Sequence, residues 1–298
     1  MGRLLLWLAG GLAIIFCAGL AFLWSVHSQV GGVSPDLPSA DVLLAVRHDE
    51  GPVGVRVLTT SEQQMPVGEL SHNAVRLEWP DGRSFLIDAG MDAVAAASFG
   101  EMVTMMSPGA EAVVHHGTVP DILSAEAVRR IAGVGFTHLH IDHVQGLVAL
   151  CDAHAGLIRG VQTDDQRVQH NFNTSEGAGL IESSCLERVE LPGKHLTPVP
   201  GFPGLAAISL GGHTPGSTLW VAALPEVVLL FSGDITNTME EVMNDQPKPW
   251  LYSNVLVPEN TARTGEIRRW LRQLQLDQAF SVVVSHDLAS YDRRWFSR

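Results

Sequence analysis

The chain has 298 residues, 46% of them hydrophobic and 17% charged, enough for one large domain or two small ones with a sizeable core. Its formal net charge is −13; setting aside Arg3, residues 27–298 carry 18 basic groups against 32 acidic ones. An acidic exterior repels phosphate backbones and anionic lipid, so nucleic acid is excluded as the expected partner.

Leu4 to Val26 is a run of 23 residues without a charge, close to the ~20 needed to cross a hydrocarbon core. Arg3 and the amino terminus precede it, and no Lys or Arg returns until Arg47. That asymmetry places the N-terminus in the cytoplasm and the rest across the membrane. A cleaved signal peptide, cut near Val26-His27-Ser28, is the alternative, but the run is longer than an ordinary signal core and favours an uncleaved anchor. Phe16 before Cys17 disfavours a lipoprotein-type site. Residues 1–28 therefore read as anchor or signal and 29–40, with Gly31-Gly32, Pro35 and Pro38, as a tether. Residues 41–298 read as the exported domain, periplasmic or otherwise extracytoplasmic, and secreted if the leader is cut.

Val42–Val46 and Val53–Leu58 are expected to be the first strands. Ala74–Trp79 alternates apolar and polar, Pro80-Asp81-Gly82 turns, and Arg83–Ile87 returns, a hairpin ending in Asp88-Ala89-Gly90. Met91–Met106 is loosely helical, and a second helix is expected from Pro120-Asp121 through Ala132. The apolar run Ile131–Phe136 then ends a strand, placed at Val134–His138, and delivers Thr137-His138-Leu139-His140-Ile141-Asp142-His143. Neutral imidazoles and carboxylate this dense, at the carboxyl end of a strand that feeds the helix Val144–Leu150, are the donor set that zinc prefers.

Residues 151–203 are less patterned. Gly156–Val161 suggests a strand, Asp164–His170 a helical turn, and Asn171–Gly179 a polar excursion near a substrate opening. His115, His116, His154, His170 and His195 read as surface histidines. Cys151 and Cys185 could pair in an exported domain, but two separate buried thiols are the expectation. Strand patterning returns at Leu205–Leu210, before Gly212-His213-Thr214-Pro215-Gly216-Ser217. It continues at Thr218–Ala223 and at Val227–Phe231, which ends in Ser232-Gly233-Asp234. Asn260–Leu274 is an amphipathic helix. Phe280–Val284 is the last strand, ending in Ser285-His286-Asp287. Four strand ends thus carry a histidine or aspartate, a recurrence that composition alone does not explain. No internal repeat or low-complexity tract is visible.

In their order and separations, Asp88-Ala89-Gly90, the 137–143 loop, 212–217, Ser232-Gly233-Asp234 and Ser285-His286-Asp287 resemble the metallo-β-lactamase superfamily over roughly residues 41–290. The resemblance implies an α+β fold, a four-layer αββα sandwich with metals at one edge of its sheets. It also implies that His138, His140 and His213 bind one zinc, that Asp142, His143 and His286 bind a second, and that Asp234 bridges the two. Asp88 would orient loop and ligand from behind. Two Zn²⁺ ions would generate hydroxide near neutral pH, with Asp142 or Asp234 moving the proton; Mn or Fe is compatible with the same ligands. Gln145-Gly146 departs from the Gly-Gly frequent in the family. The run Gly212–Trp220 resembles zinc β-lactamases, whereas Asp234 resembles the lactonases, thioester hydrolases and phosphodiesterases.

The resemblance thus implies an enzyme that hydrolyses a small ester, lactone or thioester, with spacings closest to acyl-homoserine lactonases. β-Lactam or phosphodiester cleavage, a mono-iron oxidoreductase related to the persulfide dioxygenases, and a non-catalytic binding protein are the alternatives. The full ligand set disfavours the last two. The segments 151–203 and Met239–Tyr252 are expected to shape the substrate opening, with Trp250 and Tyr252 as walls. A small-molecule substrate and, through the N-terminal helix, a membrane are the expected partners.

Overall fold

A computed structural model describes residues 2–297, with side chains from Trp7 onward, so the side chain of Arg3, on which the orientation argument rests, lies outside the described ones. The N-terminal helix runs Gly2–His27, and its stretch Trp7–His27 is long and apolar enough to cross a membrane, a test that a signal sequence also passes. At ~1.5 Å per residue it exceeds the ~30 Å hydrocarbon thickness. The next element corrects an expectation. Val42–Val46 is not a strand; Ala40–Leu44 is a short helix, with the Ser39 hydroxyl accepting from Val42 N and Leu43 fully buried.

Among the described residues thirteen strands follow: β1 (Gly54–Gln64), β2 (Glu69–Glu78), β3 (Ser84–Ile87), β4 (Val114–His115), β5 (Ile131–Gly135), β6 (Ile158–Thr163), β7 (Leu186–Leu191), β8 (Thr197–Pro198), β9 (Leu205–Ser209), β10 (Thr218–Ala223), β11 (Val228–Phe231), β12 (Phe280–Val283) and β13 (Phe296–Ser297). The larger sheet has the order β13-β1-β2-β3-β5-β6-β7, with β4 on β1; the smaller is β12-β11-β10-β9-β8. Alternation along the strands assigns the faces. Val57, Val75, Leu77, Phe85 and Ile87 point between the sheets, where they meet Phe202, Trp220, Leu229 and Phe231. Their neighbours Leu58, Ala74, Leu86 and Val134 pack outward under short helices, including Leu147–Ala153 and Ser175–Glu182. The smaller sheet buries Ile208, Leu219, Val221 and Leu230 under Ile267 and Leu271 of the helix Thr261–Gln275. Burial of each such side chain stabilises by about 1.5–3 kcal/mol. The result is the αββα sandwich.

Two boundaries move for identifiable reasons. The expected helix through Ala132 is two short ones, Val119–Ile122 and Ala125–Arg129, because Ile131 pairs with Ser84 and starts β5. β5 stops at Gly135 rather than His138. A Cβ on Gly135 would lie 2.1 Å from Trp220 Cζ2, so the indole of the opposing sheet occupies that space. Beyond it Phe136 O accepts from Trp220 Nε1, and Thr137 N leaves the ladder for Asp88. The 151–203 segment adds parallel strands β6 and β7 to the sheet. The expected excursion at 171–179 instead leads into the helix Ser175–Glu182, whose Gly177 packs on the backbone of Leu139.

Cys151 and Cys185 are disulfide-bonded, contrary to the expectation of separate thiols. The helix Leu147–Ala153 and the start of β7 lie side by side because β6 and β7 are parallel neighbours, a proximity that 34 residues of separation conceal. Replacing both cysteines by serine should lower the free energy of unfolding by about 2–4 kcal/mol. Chemical denaturation with and without reductant measures this; equal midpoints would contradict it.

Candidate metal centre

The strands that stop at one edge of the sandwich deliver the centre. β3 ends in Asp88, β5 runs into His138–His143, and β9, β11 and β12 lead to His213, Asp234 and His286. Asp88 adopts a left-handed backbone, φ 61°, and turns its carboxylate back into the protein. There it accepts from Thr137 N and Thr137 Oγ1, both at 2.8 Å, and lies 3.0 Å from His143 Nδ1. One carboxylate thus sets the conformation of the loop and the orientation of His143, leaving Nε2 facing the centre.

His138, His140 and His213 form the first donor set, with ring centroids 4.5–4.9 Å apart. The Nε2 atoms of all three are buried and without a hydrogen-bond partner. Burial lowers the pKa of each, that of His140 to about 3, so the rings are neutral and present free lone pairs at neutral pH. His213 is held from behind by Glu259 Oε2, 3.0 Å from its Nδ1.

The second set surrounds His143 Nε2. Asp142 Oδ2 lies at 3.4 Å, Asp234 Oδ1 at 3.5 Å and His286 Nε2 at 3.3 Å. His286 Nε2 is in turn 2.9 Å from Asp234 Oδ2 and 3.4 Å from Asp142 Oδ2. Asp234 Oδ2 is also 3.8 Å from His138 Nε2 and 3.9 Å from His213 Nε2, so Asp234 stands between the sets. Donors about 2.0–2.2 Å from a tetrahedral cation are about 3.3–3.6 Å apart. The spacings around His143 Nε2, 3.3–3.5 Å, match that figure, while Asp234 Oδ2 lies closer to His286 and farther from His138 and His213. The charges match as well. Burial would raise the pKa of Asp142 and Asp234, yet the surrounding imidazoles hold both well below the carboxylate range. Burial opposes charge on His143, but Asp142, Asp88 and Asp234 outweigh it and push its pKa up. A dry cluster with this surplus of negative charge and unpaired donor atoms fits divalent cations.

All the sequence-derived ligands therefore converge, and Asp88 supports them. The five histidines read as surface residues lie apart from the cluster: His116 pairs with Glu62 on the surface, and His195 is exposed. Trp250 is exposed, while Tyr252 is half-buried with its ring 5.3 Å from Lys248 Nζ. Sequence reasoning missed three residues. Lys248 and Glu259 form a buried pair at 3.1 Å, and Lys248 also donates to Asp234 O. Burial favours a neutral Glu259, but Lys248 and His213 hold its pKa down to about 2. His72 on β2 sits 3.3 Å from Asp142 Oδ2. The departures from the family pattern concern packing. Gln145 Oε1 accepts from Asp92 N and its Nε2 donates to Asp92 Oδ2, tying the loop to the cap of the helix Ala93–Met106. Gly146 is required, because a Cβ there would lie 2.1 Å from Ala89 O. Trp220 and Thr218 brace the loop through Phe136 O and Thr137 O.

Asp88→Asn tolerates the left-handed backbone but places an amide donor against Thr137 Oγ1 and His143 Nδ1. Chelator competition should show metal affinity reduced about 10–100-fold with the fold retained. Unchanged affinity would remove Asp88 from the account.

The metallo-beta-lactamase superfamily model matches residues 67–286. Among solved structures, a quorum-quenching N-acyl homoserine lactone lactonase superposes with a TM-score of 0.59 at 14% identity, covering 82% of this chain and 96% of that one. A second, N-acyl homoserine lactone hydrolase with N-hexanoyl-L-homoserine bound at its catalytic metal centre, gives 0.56 at 14% identity over 80% and 95%. The hydrolase AbOPH of the beta lactamase superfamily gives 0.53 at 16% identity over 86% and 91%. No curated protein matches in sequence. With the family model spanning most of the chain, and the strand-end donors gathered at one edge, the chain belongs to the metallo-beta-lactamase superfamily.

Proposed function

We propose that this metallo-hydrolase uses two zinc ions to cleave a small ester, lactone or thioester, with a lactone favoured. The observation that carries the reading is Asp234, whose carboxylate stands between two buried donor sets, each with its ligand atoms gathered within 4.8 Å. His138, His140 and His213 hold one cation, Asp142, His143 and His286 the other, and Asp234 both. When bound, the cations supply Lewis acidity toward a carbonyl oxygen and lower the pKa of water to about 7. Asp142 or Asp234, both ionised, would move the proton from the attacking water to the leaving group. Tyr252 lies against Lys248, which donates to Asp234 O, and we read its hydroxyl as a donor to a substrate oxygen. The lactonase neighbours support the lactone preference through their shared fold. Two donor sets, rather than one, disfavour the mono-iron oxidoreductase.

We place the substrate opening beside the end of the apolar helix, where the helix meets the domain. His27 Nε2 is 2.9 Å from Asn254 O, and Phe172 N donates to Gln29 Oε1. Exposed Phe172, Trp250 and Leu251 surround these contacts. We read Leu4–Val26 as an anchor that holds the opening at a membrane surface, with the domain on the exported side. The Cys151–Cys185 bond supports an oxidising compartment.

The test is a hydrolysis screen of the zinc-loaded full chain in detergent against lactone, thioester, β-lactam and phosphodiester substrates. Lactone cleavage is expected to vanish on chelation and in Asp234→Ala, to return with zinc, and to fall about 10²-fold in kcat in Tyr252→Phe. Activity that survives metal stripping would exclude the mechanism.

A further inference from the structure

His72 lies outside the ligand set that the family pattern supplies, yet it is as buried as the ligands, at 1% exposure. It sits on β2, next to Ser71, whose N donates to His286 O and whose own carbonyl lies 2.7 Å from His286 Nδ1. The register of β2 thereby fixes His72 against the strand end that carries His286. Its Nδ1 is 3.3 Å from Asp142 Oδ2, the same oxygen that lies 3.4 Å from His143 Nε2 and 3.4 Å from His286 Nε2. Three imidazole nitrogens thus converge on one carboxylate oxygen at the spacing of atoms that share a cation.

The ring is wedged edge-on between Phe99 and His286, with centroids 5.0 and 4.9 Å away. Its Nδ1 points at the Asp142 carboxylate, and its Nε2 has no partner among the described residues. A buried imidazole whose one polar neighbour is a carboxylate already shared with two other imidazoles is short of partners, and an ion among them would supply one. His72, Asp142 and His286 also offer one donor atom each within 4.8 Å of one another.

We propose that His72 is an additional ligand of the second cation, through Nδ1, beside Asp142, His143, Asp234 and His286. This rests on the reading of the cluster as a two-cation centre and deepens it. A site with imidazoles from His72, His143 and His286 prefers zinc over the harder manganese or magnesium ions. With five donors against four, it would be the more closed of the two, which would favour the site of His138, His140 and His213 for a substrate oxygen.

The test is a one-bond ¹¹³Cd–¹⁵N coupling measurement on the full chain, labelled with ¹⁵N-histidine and loaded with ¹¹³Cd²⁺ as a diamagnetic stand-in for zinc. The expected result is a coupled signal from His72 Nδ1 in addition to those of His138, His140, His143, His213 and His286. His72→Gln assigns that signal by its loss, and there the second ion should bind more than about tenfold weaker while the first is unchanged. Coupling at the other five without His72 would overturn the inference alone and leave His72 as a neighbour of Asp142. No coupling to any histidine would overturn the two-cation reading itself.

Discussion

The structure turns on three carboxylates, Asp88, Asp142 and Asp234, set among imidazoles and only 3–6% exposed. Such a group is tolerated only when its charge is met by partners of opposite sign. Asp88 meets the need with Thr137 and His143. Asp142 and Asp234 meet it in part with His143 and His286, whose pKa values they push up, and Asp234 Oδ1 lacks a hydrogen-bond partner. The cluster has the donors and the surplus of negative charge of a candidate cation site, and the loop, the strand ends and the supporting pair Lys248–Glu259 are all arranged around it.

The fold supplies what the centre needs, a rigid edge. Two sheets packed through Phe85, Phe202 and Trp220 fix the relative positions of strands from distant parts of the chain. Trp220 links core and site directly, since its ring fills the space above Gly135 while its Nε1 holds Phe136 O just before the metal loop. Rigidity of this kind lets donors keep the spacing a cation requires without its help.

How much of this was legible follows from how local each feature is. His138, His140, Asp142 and His143 are neighbours in sequence, and Asp88, His213, Asp234 and His286 each follow an apolar run, so their chemistry and placement could be read together. His72 stands inside β2 and reaches the centre only through the register that sets Ser71 against His286, which no local pattern announces. Lys248 and Glu259 flank an irregular segment without periodicity. Cys151 and Cys185 meet through the parallel pairing of β6 and β7. At Val42–Val46 the β-branched residues suggested a strand, but the Ser39 cap and the burial of Leu43 in the outer core decided for a helix.

The central claim, that this centre is completed by two cations, is tested most directly by thermal unfolding of the metal-stripped full chain during a zinc titration. An ion that binds only the folded state raises its stability by mass action. The account predicts that Tm rises steeply up to two zinc equivalents per chain and only logarithmically with free zinc beyond them. A Tm indifferent to zinc, with no ion retained, would contradict it.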